Sequence, residues 1–153
     1  MRLALDTNVM AYAEGLTFAD SDKAKHRIAL SLVGAMAGHE MVLAIQALCE
    51  LHRVLVRKGR RSPIESSRAV RAWTRRVELV GAGEAVFEAG LDLAARHGLQ
   101  IFDALIMAAA AEARCDLLLT EDLQDGFAWR GVVATNPFGP TPDDRIARML
   151  AAG

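Results

Sequence analysis

The chain has 153 residues, 52% of them hydrophobic and 24% charged, with a formal net charge of −1. That length buries a core without disulfide or metal staples and points to one domain over residues 1–153, while the composition excludes a disordered chain. No uncharged apolar run approaches the roughly 18 residues of a membrane span. The opening Met1-Arg2-Leu3-Ala4-Leu5-Asp6 meets charge too early for a secretory leader, so no membrane and a cytoplasmic location are expected.

Arg2 to Leu5 reads as a buried first strand that ends in Asp6. A helix follows from about Asp22 to Ala37, capped by Ser21 and stopped by Gly38. Met41 to Ile45 is a second strand, and Gln46 to Lys58 a helix ended by Gly59. Ser62-Pro63-Ile64-Glu65 has the capping-box pattern with proline in the first turn, and opens a basic helix that runs to about Arg75. Val77 to Val80 is a short strand, and Glu84 to Arg96 a helix with Gly98 just past its end. Phe102 to Arg114 is apolar on nearly all sides and predicts a buried central helix. Asp116 to Thr120 is another buried strand, Gly131 to Thr135 an edge strand, and Asp143 to Ala152 a terminal helix.

Alternation of continuous apolar strands with amphipathic helices implies an α/β fold: a parallel sheet covered on both faces. In such sheets a ligand site lies beyond the carboxyl ends of the strands. Asp6 and Asp122 both follow strands and so fall on that edge. Cys49 and Cys115 lie in apolar stretches far apart and predict free buried thiols. The histidines (His26, His39, His52 and His97) lack metal-ligand spacing with each other or with a cysteine, which disfavours zinc.

Charge is segregated. Arg53, Arg57, Lys58, Arg60, Arg61, Arg68, Arg71, Arg75 and Arg76 are opposed only by Glu65, so residues 53–76 carry +8 and the remainder −9. The segment is either a solvated helical face or a surface for phosphates. One tyrosine, two tryptophans and five phenylalanines leave little for bases to stack on, so contact would rest on backbone charge and be salt-sensitive.

Four carboxylates stand at the ends of apolar segments: Asp6 after Arg2–Leu5, Glu50 in Ala47-Leu48-Cys49-Glu50-Leu51, Asp103 in Ile101-Phe102-Asp103-Ala104-Leu105, and Asp122 after Leu117-Leu118-Leu119-Thr120-Glu121. A carboxylate beside apolar side chains loses hydration and costs several kcal/mol unless it is paired or binds a cation. Each has an ordinary structural reading. Asp6 and Asp103 suit helix starts, Glu50 shares a helical arc with Arg53 and Arg57, and Glu121, Asp122 and Asp125 suit turns. Taken together, four acids brought to one sheet edge point to a hard divalent cation.

The chain resembles the PIN-domain nucleases, most closely the VapC-type toxin ribonucleases of toxin–antitoxin pairs. The resemblance rests on Leu5-Asp6-Thr7-Asn8-Val9, Glu50-Leu51-His52-Arg53-Val54-Leu55, Phe102-Asp103-Ala104-Leu105-Ile106 and Leu118-Leu119-Thr120-Glu121-Asp122-Leu123-Gln124-Asp125-Gly126, which come in the family's order. It implies a three-layer α/β/α domain with a central parallel sheet, and an Mg²⁺- or Mn²⁺-dependent endoribonuclease leaving 5′-phosphates. By it, Asp6, Glu50, Asp103 and Asp122 are the catalytic and metal-binding acids, Asp6 and Asp103 leading. Asn8 and Thr120 take the supporting polar positions, with Asp122 chosen over Glu121 and Asp125 by the Thr-x-Asp pattern. A homodimer and a cognate antitoxin are further implications. Arg68, Arg71 and Arg75 of the basic helix are the expected RNA contacts. The alternatives are a PIN-fold scaffold with a silent site and an aspartyl phosphotransferase. The second lacks the lysine expected near a phosphate, since none follows Lys58.

Overall fold

The computed structural model describes every residue except Phe18, Ser21, Arg76, Pro142, Ala152 and Gly153. The Ser21 cap, the last residue of the basic segment and the last residue of the terminal helix thus lie outside the described residues. Six strands, β1 (Arg2–Leu5), β2 (Glu40–Ala44), β3 (Glu78–Val80), β4 (Leu117–Leu119), β5 (Ala128–Trp129) and β6 (Val132–Thr135), form one sheet in the order β3-β2-β1-β4-β6-β5. All neighbours are parallel except the β5–β6 pair. The helices are α1 (Thr7–Ala13), α2 (Asp22–Ala35), α3 (Ile45–Arg57), α4 (Pro63–Trp73), α5 (Glu84–His97), α6 (Ile101–Glu112) and α7 (Asp144–Ala151). Together they make the three-layer α/β/α arrangement that strand–helix alternation requires.

The strand order places the site. The chain lays β2 and then β3 on one side of β1, and later returns to set β4 on the other side. The gap between β1 and β4 is therefore the topological switch point, where a crevice opens beyond the strand ends. The core runs through the β1 and β4 side chains: Leu3, Leu5, Leu117 and Leu119 are fully buried, as are Met107 of α6 and Leu51 of α3. Residues Ala104 to Ala110 of α6 are all buried, as its uniform hydrophobicity predicts, whereas Phe102 in its first turn is 47% exposed.

Several sequence expectations are corrected. Val132–Thr135 is not an edge strand. Arg130 and Gly131 both take positive φ (46° and 88°), and the tight hairpin they make returns the chain so that Ala128–Trp129 pairs antiparallel outside β6. Thr7–Ala13 forms a helix not foreseen as an element; Asp6 caps it, accepting from the Thr7 N–H at 2.6 Å. α2 stops at Ala35, and a 3₁₀ turn over Met36–Gly38 completes that segment. α4 ends at Trp73, two residues short of expectation. Its capping box forms in full, with the Ser62 and Glu65 side chains each accepting from the other's backbone N–H. Gly98 takes the left-handed conformation at φ 67°.

Cys49 is exposed rather than buried, because α3 turns Ala47, Leu48, Leu51 and Leu55 inward and leaves Ile45 and Cys49 outward. Cys115 is buried, and burial pushes its thiol up to about 12.

Gly59 closes α3, yet the left-handed residue is the next one, Arg60, at φ 53°. The glycine is needed for space: a Cβ there would lie 2.7 Å from the Leu55 carbonyl oxygen and 2.8 Å from Leu16 Cδ2. Gly59→Ala should therefore destabilise the fold by about 1–3 kcal/mol, despite alanine's better helix propensity. Thermal unfolding checks this; an unchanged or raised Tm would show that the α3 terminus yields freely.

Candidate functional site

The site begins with Asp6, which ends β1 and caps α1 while only 3% exposed. Its backbone N–H donates to the Leu119 carbonyl at 3.0 Å, extending the β1–β4 pairing by one bond. Its carboxylate accepts from the Thr7 N–H at 2.6 Å, from Thr120 Oγ1 at 2.6 Å and from Asn8 Nδ2 at 3.1 Å. Thr120, fully buried at the end of β4, uses the same hydroxyl oxygen to accept from the Asp122 N–H at 3.1 Å. Asn8 Nδ2 also reaches Asp122 Oδ2 at 3.0 Å. The cap and cluster readings of Asp6 are thus compatible, one carboxylate serving both.

Asp103, in the first turn of α6, completes a group of three: Asp6, Asp103 and Asp122 each offer a carboxylate oxygen within 4.8 Å of the other two. Glu50, on the second turn of α3, lines the same cavity of about 550 Å³ but stands outside that group. Thr7 Oγ1 donates to Glu50 at 3.0 Å, and Gln46 Nε2 approaches it at 3.5 Å. Among the described residues, Glu50 makes no ion pair with Arg53 or Arg57.

The acids after β4 are separated by their partners. Asp125 accepts from the Asn136 N–H at 2.8 Å and ties down the loop that follows β6. Glu121 accepts from Tyr12 Oη at 2.8 Å and is paired with Lys25 at 2.6 Å. Asp122 is left facing Asp6 and Asp103.

Crowding has an electrostatic signature. Asp6 is pushed up to about 7, by burial first; donation from Thr120 and the Thr7 N–H pulls it down, and Asp122 and Asp103 push it up again. Asp103 is pushed up to about 6, by burial, then by Asp122 and Glu50. The donor set is wholly oxygen, and Asn8, whose Nδ2 faces the acids, has its Oδ1 buried with no hydrogen-bond partner among the described residues. Three converging carboxylates, a nearby glutamate and an orphaned amide oxygen fit a hard divalent cation.

The basic residues sort differently from the sequence expectation. Arg53, Arg57 and Lys58, at the carboxyl end of α3, line the acidic cavity. Arg68 and Arg71 stand exposed on α4, and Arg75 lines a separate cavity with Trp73 and Met36. Sequence reasoning also passed over Thr7, Tyr12 and Lys25. Thr7 adjoins Asp6 and could have been noticed, but Lys25 lies 96 residues from Glu121, and no local pattern marks that pairing.

A carboxyl whose folded pKa exceeds its unfolded value binds its proton more tightly when folded. The metal-free protein should therefore be most stable below pH 4 as far as these two groups contribute, and lose that part as pH rises through about 6 for Asp103 and about 7 for Asp6. Asp103 accepts no hydrogen bond from the described residues, so Asp103→Asn removes repulsion without losing a donor. It should raise the metal-free Tm at pH 8, by about 2–4 °C for each ~1 kcal/mol relieved. Melting curves at pH 5 to 8 check both points, and a variant that melts lower at pH 8 would contradict the repulsion.

The PIN domain profile matches residues 3–128 of the chain. Among solved structures, a toxin–antitoxin complex from Klebsiella pneumoniae aligns with TM-score 0.64 at 18% identity, covering 88% of this chain and 97% of that one. The sarcin–ricin-loop-cleaving toxin VapC20 of Mycobacterium tuberculosis aligns at 0.60 and 18%, covering 76% and 86%. FitAcB of Neisseria gonorrhoeae aligns at 0.56 and 18%, covering 89% and 98%. No curated protein matches the sequence at a significant level. The profile spans most of the chain, and the sheet order and carboxylate cluster agree with it: the chain belongs to the PIN domain family.

Proposed function

We propose that this chain is an Mg²⁺- or Mn²⁺-dependent endoribonuclease and the toxin of a toxin–antitoxin pair. One observation carries the reading: Asp6, Asp103 and Asp122 converge from three separate elements at the topological switch point, with Glu50 on the same cavity wall. Acids crowded into a cleft without a cationic partner among the described residues are costly to the fold and useful to a cation-dependent reaction. The likeness to toxin–antitoxin complexes and to a toxin described as cleaving the sarcin–ricin loop supports the nuclease class and the antitoxin partner.

Asp6 and Asp103 are the principal ligands in this reading, with Asp122 and Glu50 completing the shell directly or through water. The bound cation supplies Lewis acidity to the scissile phosphate and an activated water. The remaining work belongs to the chain. Thr120 and the Thr7 N–H fix the Asp6 carboxylate, and Asn8 bridges Asp6 to Asp122 so that the two face one point. Thr7 steadies Glu50 from the α1 side.

RNA phosphates reach the acids past Arg53, Arg57 and Lys58, whose charge offsets the repulsion between a polyanion and an acidic pocket. Arg68, Arg71 and Arg75 act at longer range as a steering field. Phe87 and Leu91, exposed one turn apart on α5, suit the homodimer contact.

Incubation of the protein with RNA and Mn²⁺ should give cleavage that is abolished by Asp103→Asn and by excess chelator. Cleavage that survives either treatment would sink the metal-nuclease reading, and no cleavage of any RNA by the wild type would favour the silent scaffold. Reversing Arg53 and Arg57 to Glu should weaken RNA binding to the chelated protein and lower the salt slope by roughly one per lost phosphate contact. The same reversal at Arg68, Arg71 and Arg75 should cost less; the opposite ranking would return the RNA path to α4.

A further inference from the structure

Two acids stand side by side after β4, and only one of them faces the cluster. Glu121 and Asp122 both line the cavity, and both are oxygen donors on the same short loop. Their difference lies in a group of side chains behind the loop. Lys25 of α2 donates to Glu121 Oε2 at 2.6 Å and to Tyr12 Oη at 3.1 Å, while Tyr12 Oη donates to Glu121 Oε1 at 2.8 Å. Both carboxylate oxygens of Glu121 are thus occupied. The ammonium lies 4.9 Å from the centroid of the Tyr12 ring and 5.9 Å from that of Phe138, and the two rings meet edge to face at 5.1 Å. Lys25 and Glu121 are only 30% and 20% exposed in their side chains, so solvent screens the pair weakly.

We propose that Lys25 is a positioning residue that selects Asp122 over Glu121 as the third acid of the centre. The inference rests on the metal-nuclease reading above. By holding Glu121 against the α1–α2 wall, Lys25 keeps a flexible, strongly coordinating carboxylate out of the cavity. Asp122 is then held by its own bonds, its N–H donating to Thr120 Oγ1 and its carboxylate accepting from Asn8. Without the lysine, Glu121 loses its cationic partner and has three rotatable bonds with which to enter the cavity as a rival ligand. The cation would then exchange a water for a carboxylate, which tightens binding but removes the water the reaction consumes.

The test compares wild type, Lys25→Met, Lys25→Arg, Glu121→Gln and the Lys25→Met/Glu121→Gln pair, each checked for folding by its melting curve. Mn²⁺ affinity is measured by titration, inner-sphere water by the proton relaxivity of bound Mn²⁺, and RNA cleavage as kcat and KM. Lys25→Met should bind Mn²⁺ more tightly and with lower relaxivity, and lose about tenfold or more in kcat, the scale typical of groups that orient metal ligands, with little change in KM. Lys25→Arg should restore all three, and so should adding Glu121→Gln to Lys25→Met, since the second change removes the rival ligand. Simple loss of packing would not be cured by a second substitution. Unchanged Mn²⁺ affinity and relaxivity in Lys25→Met would overturn the proposal, as would a raised KM at constant kcat, which would make Lys25 an RNA contact. Failure of the wild type to bind Mn²⁺ would instead strike the nuclease reading itself, and this inference with it.

Discussion

The hydrogen bond from Thr120 Oγ1 to Asp6, 2.6 Å long and joining residues 114 apart, is the contact on which the acidic centre depends. It sits at the one place in the sheet where neighbouring strands depart in opposite directions, so no connecting loop fills the space beyond their ends. The buried hydroxyl of Thr120 is a donor to Asp6 and an acceptor from the Asp122 N–H, and both its capacities serve the cluster. A carboxylate this deeply buried survives because three donors reach it, and they still leave it with an elevated proton affinity. The fold therefore keeps the centre under electrostatic load rather than neutralising it.

Opposed charges occupy two neighbouring regions of one cleft. Acids converge at the strand ends, and the second half of α3 with its cap residue brings Arg53, Arg57 and Lys58 to the same cavity. A single helix thus contributes Glu50 to the acidic side and, three and seven residues later, arginines to the basic side. The helical repeat does this without any special loop, because residues three, four and seven apart share a face. The same regularity turns Leu48, Leu51 and Leu55 to the core.

Much of the architecture could be read from particular residues. Leu3–Leu5 and Leu117–Leu119 are unbroken apolar runs, as expected of short strands buried on both faces, and Gly98 and the Ser62–Glu65 box marked their helix ends correctly. What escaped was decided by pairing. The two-residue strand β5 carries too little pattern to detect, and its existence depends on the left-handed turn at Arg130–Gly131. α1 is only seven residues long and owes its stability to the Asp6 cap and to packing on α2 and α3 rather than to propensity. Cys49 came out exposed because burial follows helical phase, not the hydrophobicity of the stretch around a residue.

The order of acids along the chain, their places after strands or near helix starts, and the excess of positive charge after residue 53 are properties of the sequence alone. They suffice to say that the chain makes a parallel sheet with an acidic edge, because local apolar patterning and the rule for strand connections leave few other arrangements. The Thr-x-Asp pattern favoured Asp122 before folding is considered, but only the tertiary structure decided where Glu121 and Asp125 turn instead and which arginines reach the cavity. Glu121 is bonded to Lys25 and Tyr12, which come from distant parts of the chain, and Asp125 to the Asn136 N–H. A carboxylate's role depends on what competes for its oxygens, and that competition exists only once the chain has folded.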